Sequence, residues 1–113
     1  MKGDVNLNTA EITEINPETA KTMIEDISTY IALLDVRNPE DFVSGHIKNA
    51  ISMPVKTIKR SAKELLPDLS QEIIVYCNNE ICGKEAVCLL SNLGYTNIFN
   101  MGSIKNWTYD IVK

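Results

Sequence analysis

The sequence predicts an α/β fold, a three-layer sandwich in which a largely parallel central sheet is flanked by helices. Short runs of β-branched and other apolar residues alternate along the chain with segments of helical periodicity. These runs are almost continuously apolar, as strands are when both faces of a parallel sheet are covered. In such folds ligands bind outside the carboxyl ends of the strands. The residues that follow each predicted strand are therefore the first candidates for a functional site.

Length and composition indicate one globular domain. The chain has 113 residues, of which 44% are hydrophobic and 23% charged, and this is enough for a single core. We expect residues 1–10 to form a flexible lead-in and residues 11–113 to form the domain. The net charge is −4, and one group of cations on a predicted helix indicates a solvated face (Lys56, Lys59, Arg60 and Lys63). Nucleic-acid binding has little support, and no apolar run reaches membrane-spanning length.

The three cysteines, Cys77, Cys82 and Cys88, lie within one short segment. An odd number in one place does not form a disulfide framework, and it fits a reducing compartment or a reactive thiol better than a disulfide-stapled secreted domain. We therefore expect a cytoplasmic location, with an exported mature form left open. A zinc site is not expected, because the spacing lacks paired C-x-x-C knuckles and His46 is distant in sequence.

The first half of the chain contains five predicted elements. Asn16-Pro17 and Asn38-Pro39 mark two helix starts, because Asn caps a helix and Pro suits its first position. Ile27 is expected on the apolar face of the first helix. The elements are an edge strand over residues 11–15, a helix over 17–27, a buried strand over 31–35, a short helix over 39–43 ended by Gly45, and a short strand over 50–53.

The second half contains five more. Pro67 and Gly94 end two helices, and a polar loop is predicted between Cys77 and the helix that begins at Glu85. The elements are a helix over residues 55–66, a buried strand over 73–77, a helix over 85–93, a strand over 96–101 and a short helix over 103–111 that contains Trp107.

Cys77 ends a buried strand just before a predicted helix. Backbone N–H groups and the helix dipole favour negative charge there, and such a position can lower a thiol pKa from about 8.5 towards neutrality. The alternative is a small buried residue at a strand end. Asp35 and Arg37 lie at the carboxyl end of another strand, where they either gate a site or pair with neighbours to hold loops.

Three segments are similar to a known family. The run DVRNPEDFVSGHIKNA at residues 35–50, followed by Pro54, resembles the first signature of the single-domain rhodanese-like sulfurtransferases. The run IVYC at 74–77 resembles the strand that delivers their catalytic cysteine. The runs GYTNI at 94–98 and GSIKNW at 102–107 resemble their C-terminal signature, so the likeness extends from about Ile12 to Trp107.

The resemblance implies a rhodanese-like fold and a sulfurtransferase in which Cys77 carries sulfane sulfur as a persulfide. The donor would be thiosulfate, a polysulfide or a protein persulfide, the acceptor a thiol or cyanide, and no cofactor or metal is needed. Backbone N–H groups would cradle the persulfide anion, and the substrate-binding residues would be Asn78, Asn79, Glu80, Ile81, Cys82 and Gly83.

The active loop departs from the family pattern at two positions. Many members have Gly at the place of Glu80 and Arg at the place of Cys82. A Glu80 carboxylate pointing inward would weaken thiosulfate binding, whereas one pointing outward would be screened by solvent. Weak use of thiosulfate is therefore one expectation. The sequence leaves the direction of this side chain open.

Cys82 has two interpretations. It is a small residue that fills the arginine's place, or it forms a disulfide with Cys77 in a C-x4-C loop and acts as a resolving thiol. Cys88 is expected to be buried in the helix. The alternatives to an enzyme are a sulfur-relay or binding module and a Cys77–Cys82 thiol-disulfide switch.

Overall fold

The computed structural model describes residues 11–113, and the predicted lead-in over residues 1–10 lies outside them. The elements follow in chain order. They are β1 Glu11–Glu14, α1 Pro17–Glu25, β2 Ala32–Asp35, α2 Pro39–Ser44, β3 Ile51–Ser52, α3 Val55–Leu65, β4 Glu72–Cys77, α4 Glu80–Leu93, β5 Asn97–Ser103 and a 3₁₀ turn Ile104–Asn106.

Within residues 11–113, five strands form one sheet in the order β1-β5-β4-β2-β3, and the four pairings between them are parallel. This arrangement confirms the predicted α/β fold with a parallel central sheet. β1 is an edge strand, as predicted, and β4 is the central one. Because the strands are parallel, the carboxyl ends of β2, β4 and β5 meet at one edge of the sheet.

Side chains of β4 alternate between two cores, as the period of a strand requires. Ile74 and Tyr76 pack with Ala20 of α1 on one face of the sheet. Val75 and Cys77 pack on the other face, in the larger core that α3 and α4 cover. Cys77 therefore faces the α3–α4 layer.

Helix α4 begins five residues earlier than the sequence pattern predicts, and this corrects the polar loop expected between Cys77 and Glu85. Asn79 caps the helix, and its Oδ1 accepts from the Cys82 N–H at 2.9 Å. Gly83, a poor helix former, is buried where the helix approaches β5. A Cβ there would lie 3.0 Å from Asn100 Oδ1, so this glycine permits the close approach of the helix to the sheet.

Helix α1 ends at Glu25 rather than near Ile27. Asp26 Oδ1 accepts hydrogen bonds from the Ser28 N–H at 2.9 Å and from the Ser28 hydroxyl at 2.6 Å, and this local turn competes with another helical turn. The prediction that Ile27 lies on the apolar face is wrong, because its side chain is fully exposed.

The short helix predicted over residues 103–111 is also wrong. Only the 3₁₀ turn forms, with Trp107 directly after it. The chain then extends, because Val112 and His46 exchange two backbone hydrogen bonds of 2.8 Å each in an antiparallel bridge. The end of the chain is thereby fastened to the segment that follows α2.

Cys88 is exposed, contrary to the prediction of burial. Helix α4 buries a single stripe of residues (Gly83, Ala86, Val87 and Leu90). Cys88 lies one position past Val87, about 100° round the helix, and so faces outward. No helix among residues 11–113 has the length and the apolar character needed to cross a bilayer.

Candidate active site

The chain after Cys77 is held from two sides. Asn78 donates from its side-chain amide to Asp41 Oδ2 of α2 at 3.0 Å, and its carbonyl oxygen accepts from the Ser103 hydroxyl of β5 at 2.9 Å. Asn79 then caps α4. Cys77 therefore lies between the carboxyl end of the central strand and the first turn of a helix. The predicted position of Cys77 at the end of a buried strand is confirmed, and the helix begins closer to it than predicted.

Cys77 and Cys82 form a disulfide, and their Cα atoms lie 6.0 Å apart. That separation falls within the usual range for disulfides. Cys77 is only 2% exposed, whereas Cys82 is half-buried and packs against the larger core. The structure thus holds the site in its oxidised form and favours the interpretation of Cys82 as a partner of Cys77.

A pocket of about 320 Å³ opens beside the two cysteines at the carboxyl edge of the sheet. Asn78 and Asn79 line it together with Cys77 and Cys82. Arg37 and Lys56 contribute positive charge, and Glu85 contributes a carboxylate. The pocket therefore has the size and the charged side chains to receive a small anion next to the two cysteines.

The other predicted binding residues lie outside this pocket lining. The Glu80 side chain is exposed, and its carboxylate lies over Gly102, where a Cβ would be 2.9 Å from Oε2. Ile81 is 80% exposed, and Gly83 is buried against β5. The backbone N–H groups of Glu80 and Ile81 lie in the first turn of α4, where a helix offers them no acceptor of its own, whereas the Gly83 N–H donates to the Asn79 carbonyl at 3.4 Å. A role of these groups in holding sulfur stays a prediction.

Asp35 and Arg37 form a buried ion pair beside the site. Arg37 Nη2 lies 2.7 Å from Asp35 Oδ2, and Arg37 Nε donates to both carboxylate oxygens at 3.1 Å. Tyr76 donates its hydroxyl proton to the same Oδ2 at 2.8 Å, and its oxygen accepts from the Ile47 N–H at 3.1 Å. Arg37 also donates to the Gly45 carbonyl at 2.6 Å. The network ties β2 and β4 to the segment after α2.

The environment keeps this network in one protonation state. Burial alone would lower the pKa of the Arg37 guanidinium, but the hydrogen bonds and charge of Asp35 raise it above its usual value. Burial raises the pKa of Tyr76 well above its usual range, and the Asp35 carboxylate acts in the same direction. Arg37 stays charged and Tyr76 stays protonated at neutral pH. Arg37 is thus both a part of the pocket wall and a group that holds loops.

His46 makes a structural contact with the backbone and is not part of the site beside the two cysteines. Its ring stacks on Phe42 with the centroids 3.7 Å apart, and Nδ1 lies 2.8 Å from the Phe42 carbonyl oxygen.

A larger pocket of about 620 Å³ lies on the α1 side of the sheet, lined in part by Lys21, Trp107 and Tyr109. It contains no cysteine, so we place the site at the smaller pocket, where the thiols lie.

Lys56 and Glu85 are pocket residues that the sequence analysis did not assign. The charge pattern predicts Lys56 on a solvated helix face, and its side chain is exposed while it lines the pocket. The position of Lys56 in the sequence could have indicated this role, because it follows Pro54 and Val55 just beyond the carboxyl end of β3, where ligands bind in such folds. Glu85 lies one helical turn after Ile81, and only the early start of α4 brings it to the pocket.

The fold and the cysteine at the carboxyl edge of the sheet define the class of the protein. The family described as the rhodanese-like domain matches residues 16–110. The chain therefore belongs to the rhodanese-like domain family, as the sequence signatures indicate.

Particular relatives lie within the sulfurtransferases. The chain is 35% identical over 80 residues to the thiosulfate sulfurtransferase PspE of Escherichia coli strain K12, and the match covers 71% of this chain and 77% of that protein. It is 26% identical to a sulfurtransferase of Allochromatium vinosum, over 85% of this chain and 88% of the other. A solved rhodanese with anions from E. coli has a TM-score of 0.69 and 33% identity, covering 74% of this chain and 99% of that one.

Proposed function

We propose that this protein is a sulfurtransferase in which Cys77, once reduced, carries sulfane sulfur as a persulfide. The observation that carries the proposal is the position of Cys77 at the end of β4, directly before the capped first turn of α4. A helix N-terminus stabilises a thiolate and a bound anion by the same dipole and N–H groups. The sulfurtransferase relatives support the reaction class.

The reaction has two halves. The Cys77 thiolate attacks the outer sulfur of thiosulfate, the sulfur–sulfur bond of thiosulfate breaks, and sulfite leaves with the bonding electron pair. The persulfide anion left on Cys77 lies at the start of α4. An acceptor nucleophile, a thiol or cyanide, then attacks the outer sulfur, and Cys77 is released as a thiolate. A polysulfide or a protein persulfide can take the place of thiosulfate in the first half.

The direction of the Glu80 side chain supports thiosulfate as a donor. Its exposed carboxylate lies over Gly102, so solvent screens its charge from the pocket. Lys56 and Arg37 are the cations of the pocket wall, although Arg37 is paired with Asp35. The outward direction of Glu80 thus removes one of the reasons for expecting weak use of thiosulfate.

The disulfide sets one condition on any test. Cys77 has no nucleophilic thiolate while it is bonded to Cys82, so the protein must first be reduced with a dithiol, and that reductant must then be removed. Sulfite release and intact mass after addition of thiosulfate give the readout. Reduced wild type is expected to release sulfite. The Cys82→Ser variant, which cannot form the disulfide, is expected to gain one sulfur atom.

Two variants control this experiment. Cys77→Ser should release no sulfite and gain no sulfur, whereas Cys88→Ser, which alters the exposed thiol of the same helix, should behave as wild type. Sulfur gained by Cys77→Ser would refute the assignment. A protein that takes sulfur from neither thiosulfate nor polysulfide would be a binding module instead.

The disulfide itself favours a second function, a thiol-disulfide switch that stops sulfur transfer under oxidation. Mild oxidation of the reduced protein should remove two thiols reversibly, because the two Cα atoms are already 6.0 Å apart. Thiol titration before and after a dithiol measures this. An unchanged loss of two thiols in Cys82→Ser would reject the switch.

A further inference from the structure

The Cys82 sulfur lies within bonding distance of Cys77 Sγ, the atom that it would attack if Cys77 carried a persulfide. It occupies the first turn of α4, and its own N–H is bonded to the Asn79 side chain at 2.9 Å. The disulfide shows that its sulfur contacts Cys77 Sγ at a Cα separation of 6.0 Å. In a Cys77 persulfide, that same Sγ is the inner sulfur.

We infer that Cys82 is a resolving thiol that discharges the Cys77 persulfide as sulfide, so that the protein reduces sulfane sulfur as well as transferring it. The inference rests on the proposed function, because it needs a persulfide on Cys77. The substrate is the sulfane sulfur of a small donor such as thiosulfate, and the co-reactant is a dithiol.

The step is a thiol-disulfide exchange. Cys82 sulfur attacks Cys77 Sγ and forms the Cys77–Cys82 bond, while the bond from Cys77 Sγ to the outer sulfur breaks. The outer sulfur leaves as hydrosulfide, with the electron pair of the broken bond and the proton of the Cys82 thiol. The dithiol then reduces the disulfide and is itself oxidised. One turnover converts thiosulfate and a dithiol into sulfite, sulfide and the oxidised dithiol.

Burial favours this step over transfer to an outside acceptor. Cys77 is 2% exposed, so a large acceptor must enter the pocket to reach its sulfur. Cys82 is already in contact, and an intramolecular nucleophile has a high effective concentration. The first turn of α4 also stabilises a Cys82 thiolate.

The same geometry explains how the cycle would close. Cys82 is half-buried and lines the open pocket, so a dithiol approaches its sulfur more readily than that of Cys77. Attack at Cys82 leaves Cys77 as the thiolate that accepts the next sulfur. Cys88, exposed six positions further along the helix, takes no part.

A single turnover without a reducing agent tests the inference. The protein is reduced with a dithiol, desalted under anaerobic conditions and mixed with one equivalent of thiosulfate. Wild type is expected to yield one equivalent each of sulfite and sulfide and to lose two hydrogens by intact mass. Cys82→Ser should yield sulfite, keep one added sulfur and release less than about a tenth as much sulfide. Cys88→Ser should match wild type, and this excludes transfer between molecules through the exposed thiol.

The outcomes separate the two proposals. Sulfite without sulfide from wild type, with sulfur retained as in Cys82→Ser, overturns the inference and leaves the sulfurtransferase intact. Equal sulfide from wild type and Cys82→Ser also overturns it. If Cys82→Ser gains no sulfur from thiosulfate or from polysulfide, and wild type releases no sulfite or sulfide with either donor, the sulfurtransferase itself is overturned. Sulfite release by Cys82→Ser reports that this variant is folded.

Discussion

Asp35→Asn tests the claim that a buried ion pair holds the wall of the pocket. Asp35 is fully buried, and its carboxylate accepts from Arg37 N, Nε and Nη2 and from the Tyr76 hydroxyl. Asparagine keeps the size of the side chain but removes the charge and replaces one acceptor oxygen with a donor. The Arg37 guanidinium, whose side chain is 8% exposed, would then be buried without its counterion.

The expected cost follows from burial rather than from distance. Removing one partner of a buried ion pair costs about 3–5 kcal/mol, a large part of the roughly 5–15 kcal/mol that stabilises a domain. The pair Lys21–Glu25 provides a matched control, because its N–O distance is also 2.7 Å but its side chains are 37% and 60% exposed. Glu25→Gln should leave stability unchanged within error, since exposed pairs contribute little.

Urea unfolding of the reduced proteins at neutral pH measures both variants. The midpoint should fall strongly in Asp35→Asn at an unchanged m-value, which shows that stability and not compactness has altered. Sulfite release should fall with it, because Arg37 lines the pocket. If Asp35→Asn cost as little as Glu25→Gln, the reasoning that the network holds the site would be refuted.

Three further predictions concern single contacts. Tyr76→Phe removes two buried hydrogen bonds and should cost about 2 kcal/mol at neutral pH. Burial raises the pKa of Tyr76, so the stability that its hydroxyl contributes is present below about pH 10 and is lost as the pH rises further. The urea midpoints of Tyr76→Phe and wild type should therefore converge in alkali. A difference between the midpoints that stays constant with pH would contradict this. Gly83→Ala should not stabilise the protein. Alanine gains about 1 kcal/mol of helix propensity, but its Cβ would lie 3.0 Å from the buried Asn100 side chain, where overpacking costs about 1–3 kcal/mol. A raised melting temperature would contradict this prediction. Lys56→Gln should raise the thiosulfate KM about fivefold at low salt, as a charge worth about 1 kcal/mol would, and an equal effect from Lys59→Gln, outside the pocket lining, would reject a local role.

The oxidised site connects the two proposals about the cysteines. In the first proposal, sulfur transfer requires only Cys77, and every acceptor regenerates its thiolate. In the second proposal, sulfide release also requires Cys82 and would end each turnover at the disulfide seen in the structure. The supply of a dithiol would then decide which product predominates, because only the second route consumes it.

Local patterns in the sequence were enough to establish the architecture. Apolar runs, asparagine caps and proline or glycine stops depend on neighbouring residues, so they predicted the alternating strands and helices. Parallel strands bring their carboxyl ends to one edge, and that rule predicted a candidate site at Cys77. Two of the predictions failed where a local turn or a distant pairing prevailed, at Ile27 and after Ser103.

Only the tertiary structure decided how side chains from distant segments meet. Asp35 and Tyr76 are 41 positions apart and share one hydrogen bond, which no local pattern contains. The direction of Glu80 depends on the close packing of α4 against β5 at Gly102. The spacing of Cys77 and Cys82 allowed either a lone nucleophile or a pair, and the early start of α4 brings the two sulfurs together. Chain neighbours determine periodicity and caps, whereas packing determines which face of each element is covered and what it touches.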